Sequence, residues 1–464
     1  MRQINFALAL LTAAALAACG GTSSKGGDQT LKTKYSAMVT FGDSLADVGT
    51  YAVGVVAAAG GGKYTINGDN TAINPTLTGK NWTELLAAQL GLPAPCAAQT
   101  GLVGSVTVTN HAGCYGYAQG GARVTNPVGP GNVLTGDKLG QMTVPVVTQI
   151  ANHLAAVGGK FTGTELVTIT VGGNDVSMQL AGLSIAATAA GQAAGAAEGA
   201  KVGAQTFATT LVGLLAAGAP NPASAAQAIG LAMATESARP GSTQTTVVGA
   251  AVTAAAMAGN VAVADPAVYG PIVAKAQADA TVAGNAAGAA AGAKAGAAYA
   301  AAHGPDLVVA MGTAGAELAA MVKTQIVAKG ANFVIVNNLG DFANAPVGKA
   351  QDASTQGLIA LMVSAFNDQL KAGLAGEPKV LLNDLYTLSH DEIINPAPYG
   401  LTNTTSAACT TNAFGGSALG CTGKTLNSGD VSHYMFADDR HPTPYEYRLI
   451  AQFMAEKMAT IGWL

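Results

Sequence analysis

Short runs of apolar residues on either side of the middle of the chain have the length and the abrupt limits of buried β-strands. They cover residues 38–41, 166–171, 333–336 and 380–382. Longer segments with apolar residues at helical spacing cover residues 82–90, 307–329, 355–374 and 445–461. Because strands that alternate with helices form parallel βαβ units, the pattern predicts an α/β domain in which helices cover both faces of a parallel sheet.

A different pattern occupies residues 177–304, which are rich in alanine and glycine. Two runs in it place glycine at every fourth position, namely Gly191, Gly195, Gly199 and Gly203, and Gly284, Gly288, Gly292 and Gly296. Positions four apart share one face of a helix, so the runs predict two helices, about 185–217 and 273–302, each with a seam of glycines. Glycine weakens a helix, so four in register favour close packing along these seams.

A packed helical structure is one interpretation of this Ala/Gly-rich insertion, and there are two alternatives. A membrane span needs about 20 predominantly apolar residues, but polar side chains interrupt both glycine runs. They are Gln192, Glu198 and Lys201 in the first run, and Asn285 and Lys294 in the second. A disordered, low-complexity insertion is the other alternative. The middle of the insertion, 220–257, is too mixed in composition for any assignment.

Composition limits the class of protein further. The chain has 464 residues, of which 49% are hydrophobic and only 10% charged, with 60 glycines. Soluble domains usually carry about 25% charged residues. The hydrophobic content argues against general disorder, and the net charge of −4 excludes a broadly basic surface for nucleic acid. Charged residues are scarcest at the N-terminus and in residues 177–304, and the composition of the rest of the chain is closer to that of an ordinary soluble domain.

The N-terminus predicts export. Residues 1–18 have a positive charge near the start, an apolar stretch over 6–16 and small residues after it, as a signal peptide does. The letters LAAC, which end at Cys19, resemble a bacterial lipobox, in which that cysteine is lipidated after cleavage. Residues 19–34 then form a polar tether. We expect a lipoprotein anchored at the outer membrane or cell surface, with a plain periplasmic or secreted protein as the alternative.

Four further cysteines fit an oxidising compartment, where disulfides persist. Four cysteines allow three pairings, of which the simplest joins Cys96 to Cys114 and Cys409 to Cys421. Free buried thiols are the alternative. No cysteine and histidine spacing indicates a zinc site, and we expect neither a metal nor a cofactor.

Two polar segments follow predicted strands, where an open parallel sheet presents its active-site groups, a third lies in another loop, and a fourth precedes the last helix. They contain Ser44 in FGDSLADVG, Gly121 in AQGGAR, Asn174 in VGGND, and Asp438 and His441 in DDRHPT. A serine nucleophile needs a base, and the base needs an orienting carboxylate. An asparagine amide and a backbone N–H could stabilise an oxyanion.

Taken in order, these four segments resemble those of the GDSL/SGNH hydrolase family. NNLGDFANAP and HDEIINPAPYGLTNTTSAAC further resemble its bacterial secreted lipase and esterase branch. The resemblance covers about residues 35–176 and 305–464 and implies a flavodoxin-like, three-layer α/β/α fold with a parallel sheet, interrupted by the helical insertion at 177–304.

The resemblance also implies a role for each motif residue. Ser44 would be the nucleophile, His441 the general base and then acid, and Asp438 the residue that orients His441. The N–H groups of Ser44 and Gly121 and the side chain of Asn174 would form the oxyanion hole. Asp439 competes with Asp438, and the DxxH spacing favours Asp438. Gly121 is preferred to Gly120 because it directly precedes an alanine, as in the family.

Other titratable residues near the motifs have a simpler interpretation. We expect Asp43, Asp47 and Asp175 to hold loop hydrogen bonds. The remaining histidines are expected to be structural or exposed: His111, His153, His303, His390 and His433. Arg123 could hold the oxyanion loop or meet an acidic substrate, and the sequence does not decide between these roles.

The hypothesis that follows is a serine esterase or lipase that cleaves carboxylic esters through an acyl-enzyme. Its substrate could be a lipid, another acyl ester or a polyester. An acyltransferase that uses the same site is one alternative. A surface-anchored binding module with an incidental hydrolase domain is another, and an inactive relative is a third. The insertion is a candidate lid. The oligomeric state does not follow from the sequence.

Overall fold

A computed structural model describes residues 33–104 and 106–464. The predicted signal peptide, the lipidation site Cys19 and nearly all of the tether lie outside the described residues. The chain forms two compact units. One contains the described residues up to Leu180 together with Asp306–Leu464, and the other is Ala181–Pro305.

Four parallel strands form the main sheet of the first unit. The strands of the described residues are β1 (Met38–Gly42), β2 (Gln99–Thr100), β3 (Thr109–Asn110), β4 (Leu166–Thr170), β5 (Phe333–Asn337), β6 (Val380–Asn383), β7 (Asn403–Ala407) and β8 (Tyr434–Phe436). The main sheet has the order β1-β4-β5-β6, and every neighbouring pair in it is parallel. The four strands predicted from apolar runs are therefore confirmed.

An irregular segment extends this sheet beyond β1. The N–H of Thr40 donates to the carbonyl of Tyr115, and the N–H of Tyr117 donates back to Thr40. The N–H of Gln119 then donates to Gly42, so residues 115–119 run parallel to β1. With this segment as second strand the order is 2-1-3-4-5, the flavodoxin-like doubly wound order, whose switch point lies between β1 and β4.

Helices cover both faces of the sheet. The helices of the described residues are α1 (Gly54–Ala58), α2 (Trp82–Gln89), α3 (Val146–Ala156), α4 (Gly173–Ala216), α5 (Pro222–Ser237), α6 (Gln244–Met257), α7 (Pro266–Met321), α8 (Pro346–Lys349), α9 (Ala353–Leu374), α10 (Leu385–Ile394) and α11 (Pro444–Thr460). On one face, Met38, Leu166 and Ile335 share a core with α2, α10 and α11. Helix α3 packs against β1 and α9 against β6. The predicted α/β architecture is confirmed.

The helices of the insertion are longer than the sequence pattern predicts. Helix α4 begins directly after β4 rather than near residue 185. The predicted helices 273–302 and 307–329 are one continuous helix, α7, which ends in a π-helical turn at Val322–Ile326. The proline at 305 lies inside α7, where it removes one backbone hydrogen bond without ending the helix.

The second unit is entirely helical among its described residues. Its core is formed by α5, α6 and the adjoining parts of α4 and α7, with Leu211, Leu215, Ile229 and Ala251 fully buried. The unassigned middle of the insertion is thus the α5–α6 pair.

The glycine seams of α4 and α7 lie against each other inside the second unit. A Cβ atom added to Gly195 would lie 2.7 Å from the carbonyl oxygen of Gly288, and one added to Gly288 would lie 2.8 Å from that of Gly195. The two backbones therefore touch directly. By length and composition alone, α4 and the helical stretch 266–329 are apolar enough to cross a membrane. Core helices of soluble proteins meet the same criterion, which makes it weak evidence for a span.

Both disulfides of the simplest pairing are present in the structure. Cys96 is bonded to Cys114, and Cys409 to Cys421. The first lies next to the 115–119 segment. The second closes a loop near β8, which leads into the motif that contains Asp438 and His441.

Candidate active site

Ser44 lies two residues beyond β1, in a turn that requires glycine. Gly42 has φ +143°, and a Cβ atom there would overlap the carbonyl oxygen of Thr170 in β4. The N–H of Asp43 donates to that same carbonyl at 3.0 Å. The turn therefore holds the chain against the carboxyl end of β4, at the switch point of the sheet, where ligands bind in folds of this class.

Ser44, His441 and Asp438 form a continuous chain of hydrogen bonds. The Oγ of Ser44 lies 2.9 Å from Nε2 of His441, and Nδ1 of His441 lies 2.7 Å from Oδ2 of Asp438. All three residues are buried. The ring of Tyr64 packs on the His441 ring with centroids 4.9 Å apart. The structure thus brings together the three residues predicted to act as nucleophile, base and orienting acid.

The Asp438 carboxylate is held by backbone N–H groups as well as by the histidine. Burial opposes its ionisation, but the charge of His441 and hydrogen bonds from His441 and from the N–H of Ala418 hold its pKa well below its usual range. Asp439 is different, because its side chain is about half exposed and pairs with Arg440. The contact to His441 is made by Asp438, as the DxxH spacing predicts.

The predicted oxyanion donors follow β1, the 115–119 segment and β4 in the chain. Gly121 has φ +80°. The N–H of Gly120 donates to Asp47 at 2.9 Å, whereas the N–H groups of Ser44 and Gly121 have no hydrogen-bond partner among the described residues. Asn174 lies in the first turn of α4, and its Nδ2 donates to the Ala122 carbonyl at 2.8 Å, which leaves one amide hydrogen for another acceptor.

Arg123 and Asp175 hold the oxyanion loop against α4. Nε of Arg123 donates to Asp175 at 2.9 Å, and the N–H of Val124 donates to the other carboxylate oxygen at 3.1 Å. Arg123 also donates to the Val128 carbonyl. Of the two roles open in the sequence, these contacts favour holding the loop.

Two buried aspartates flank Ser44. Asp47 accepts hydrogen bonds from the N–H groups of Gly49, Thr50 and Gly120, while burial raises its pKa to about 6. Asp43 accepts one from the N–H of Leu45, and burial raises its pKa to about 7. Asp47 therefore joins the nucleophile turn to the oxyanion loop.

The other histidines are not part of this hydrogen-bond chain. His153 is buried among aromatic rings, and burial lowers its pKa to about 4. His390 pairs with Asp341, and Nδ1–H of His433 donates to the Gly400 carbonyl at 2.9 Å. His111 contacts Thr100, and the ring of His303 packs on Tyr299.

A cavity of about 80 Å³ opens beside the residues that flank Ser44 and His441 in the chain. Most of its wall is apolar, but two buried glutamates, Glu392 of α10 and Glu446 of α11, also line it. Sequence reasoning did not single out either one. The only signal was the spacing Thr443-x-x-Glu446, which is that of an ordinary helix N-terminus.

Comparisons with known proteins agree with the motifs. No protein-family model matches the chain. Among curated proteins, GDSL esterase/lipase 7 of Arabidopsis thaliana is 34% identical over 109 residues, which is 22% of this chain and 29% of that protein. Lipase 1 of Photorhabdus luminescens is 37% identical over 70 residues, which is 15% of this chain and 10% of that protein.

A second GDSL esterase/lipase of A. thaliana is 36% identical over 80 residues, 17% of this chain and 22% of the relative. The chain thus spans less than a third of the length of each of these relatives. Together with the ordered motifs and the α/β fold, these matches confirm the predicted resemblance to the GDSL esterases and lipases.

Proposed function

We propose that this protein hydrolyses carboxylic esters, with Ser44 as nucleophile. The observation that carries the proposal is the hydrogen-bond chain from Ser44 through His441 to Asp438, at 2.9 and 2.7 Å. The relatives are named as esterases and lipases, which supports the same class of reaction.

In the first step, the Ser44 hydroxyl oxygen attacks the ester carbonyl carbon while Nε2 of His441 takes its proton. Asp438 accepts the Nδ1–H of His441 and thereby keeps Nε2 free to act as base. Its ionised carboxylate also stabilises the imidazolium that forms. The negative charge on the former carbonyl oxygen is met by the N–H groups of Ser44 and Gly121 and by the amide of Asn174.

In the second step, His441 gives its proton to the departing alcohol oxygen, and the acyl group stays on Ser44. A water molecule then repeats the sequence: His441 takes its proton, and its oxygen attacks the acyl carbon. Collapse of this intermediate releases the carboxylic acid and returns the proton to Ser44. The cycle needs no group beyond these residues and water.

The proposal includes an exported protein in which residues 35–176 and 305–464 form the hydrolase and 177–304 an accessory insertion. The two disulfides favour an oxidising compartment. The lipobox-like sequence at Cys19 supports anchoring to a membrane by lipid, and the names of the relatives support ester or lipid substrates.

Replacement of Ser44 tests the assignment. Wild type, Ser44→Ala and the control Ser224→Ala, at an exposed serine of α5, are incubated with a serine-directed fluorophosphonate and with p-nitrophenyl esters of increasing acyl length. We expect labelling and hydrolysis by wild type and the control only. Full hydrolysis by folded Ser44→Ala would refute the mechanism, and formation of a new ester with an added alcohol would point to acyl transfer.

A further inference from the structure

The cavity lined by Asp43 and Leu45, the chain neighbours of Ser44, has walls suited to an acyl chain. Its walls are mainly apolar and include Leu45, Val171, Leu339, Phe342, Leu388 and Ile450. Its volume of about 80 Å³ is enough for a chain of about six heavy atoms, since one water needs about 10–15 Å³ on the same measure. The acyl group stays on the nucleophile through both chemical steps, so it is the part of an ester that gains most from such a pocket.

The carboxyl groups of Asp43, Asp341, Glu392 and Glu446 and the guanidinium of Arg440 also line the cavity. Of these carboxyl groups, those of Glu392 and Glu446 have buried oxygens that no hydrogen bond satisfies among the described residues. Glu392 is fully buried and Glu446 is 2% exposed. The two side chains face each other, and apart from that contact no described group hydrogen-bonds to either carboxyl oxygen of Glu392 or to Oε2 of Glu446. Burial raises the pKa of both, and the charge of Glu446 raises that of Glu392 further, so the pair retains a proton.

Helix capping does not account for Glu446. In a capping box, a glutamate at this position accepts a hydrogen bond from the N–H of the N-cap residue. Here the N–H of the N-cap, Thr443, donates instead to the carbonyl of Met435 at 3.0 Å. The carboxyl group of Glu446 is thereby left to line the cavity, where it meets Glu392.

A buried carboxyl pair of this kind is costly without a partner. Apolar side chains of similar size at both positions would fill the same space without unpaired polar atoms. A ligand group that both donates and accepts a hydrogen bond would satisfy the pair. A hydroxyl does so, whereas an ammonium group can only donate hydrogen bonds and an ionised carboxylate can only accept them.

We propose that the cavity binds the acyl chain of an ester and that Glu392 and Glu446 together bind a hydroxyl group near the far end of that chain. The inference rests on the proposed ester hydrolysis and narrows it to hydroxyacyl esters. In the bound state the hydroxyl accepts a hydrogen bond from the protonated carboxyl and donates one to the other.

Two esters of equal length test this inference. In p-nitrophenyl 6-hydroxyhexanoate a hydroxyl replaces the terminal methyl of p-nitrophenyl heptanoate, and p-nitrophenyl acetate reports the basal reaction. We expect wild type to favour the hydroxyacyl ester in kcat/KM by about tenfold or more. The double variant Glu392→Met, Glu446→Met should reverse this preference and keep activity on the acetate.

Two further variants serve as controls. Glu392→Gln retains a donor and an acceptor and should keep part of the preference. Glu456→Met, at an exposed glutamate of α11, should leave it unchanged. Equal kcat/KM for the two long esters in wild type, or an unaltered ratio in the folded double variant, would overturn the inference. Failure of wild type to hydrolyse even the acetate would instead refute ester hydrolysis itself, and the inference with it.

Discussion

Asp47 lies three residues after Ser44, and its carboxylate accepts hydrogen bonds from N–H groups of both the nucleophile turn and the oxyanion loop. Because the N–H of Gly120 is engaged by Asp47, the next N–H along the chain, that of Gly121, is the one left for a ligand. The sequence favoured Gly121 only by its place before an alanine. The hydrogen bond to Asp47 gives a physical reason for the same choice.

Asn174 is the donor whose removal is easiest to interpret. We expect Asn174→Ala to lower kcat by about 10²–10³ with little change in KM, because a tetrahedral oxyanion would lose one donor. Steady-state kinetics on p-nitrophenyl acetate measures the effect. Asn427→Ala, which removes a similar amide-to-carbonyl hydrogen bond at the Ala407 carbonyl, is the control. A matching loss of kcat in both variants would argue against a specific role for Asn174.

The motif residues can be predicted from the sequence because Ser44 and Asn174 follow apolar runs, Asp438 and His441 precede the last helix, and Gly121 lies in a recognisable glycine-rich motif. The sequence does not predict the contact between Glu392 and Glu446. The two glutamates lie on different helices more than fifty residues apart. The spacing around Glu446 is that of a capping box, of which the structure contains only the bond from the Glu446 N–H to the Thr443 side chain.

The glycine seam is the feature that defines the elements of the insertion. Periodicity predicts the helices and their glycine faces, because one face of a helix repeats every fourth residue. It does not predict their ends. Only two residues separate β4 from α4, and the proline at 305 lies inside α7 without ending it, so the usual sequence signals for helix limits did not apply.

Two glycine-to-alanine substitutions on α4 distinguish the effect of the backbone contact in the seam from the effect of helix propensity. A Cβ at Gly195 would press on the Gly288 carbonyl oxygen, whereas one at Gly213 would meet nothing within 4 Å. We expect Gly195→Ala to lower the free energy of unfolding by about 1–3 kcal/mol, and Gly213→Ala to raise it by up to about 1 kcal/mol.

Denaturant unfolding followed by circular dichroism compares the two variants with wild type. If Gly195→Ala stabilised the protein as much as Gly213→Ala, the seam would not be a backbone contact.

At the scale of the whole molecule, the buried acids set how stability depends on pH. Burial raises the pKa of Asp43 to about 7 and of Asp47 to about 6, and it raises the pKa of Glu392 and Glu446 as well. The folded protein therefore holds more protons than the unfolded chain between about pH 4 and 8. Asp438 has the opposite shift, so its contribution is lost only in strong acid.

We therefore expect the free energy of unfolding to be greatest in mild acid and to fall toward pH 8. The decrease should be roughly 1 kcal/mol per pH unit for each proton that the folded state retains. Denaturant titrations across this range measure it, and the variant Glu392→Gln, Glu446→Gln should show a shallower decrease. A free energy that rises from pH 5 to pH 8 in wild type would contradict this account.

The overall topology follows from the sequence because strands that alternate with helices leave few possible arrangements. The edge segment 115–119 was not predicted as a strand, since its tyrosines and glycines lack an apolar run. It nevertheless sets the sheet order and carries the chain to the oxyanion loop.

The disulfide between Cys409 and Cys421 has a consequence for when the protein can act. It closes the loop that contains Ala418, whose N–H donates to Asp438 at 2.7 Å, and the N–H of Cys409 donates to the residue before Asp438. Reduction of this disulfide would remove the covalent bond that closes the loop around Ala418. Under the proposed function, we therefore expect full esterase activity only after this disulfide has formed, in an oxidising compartment.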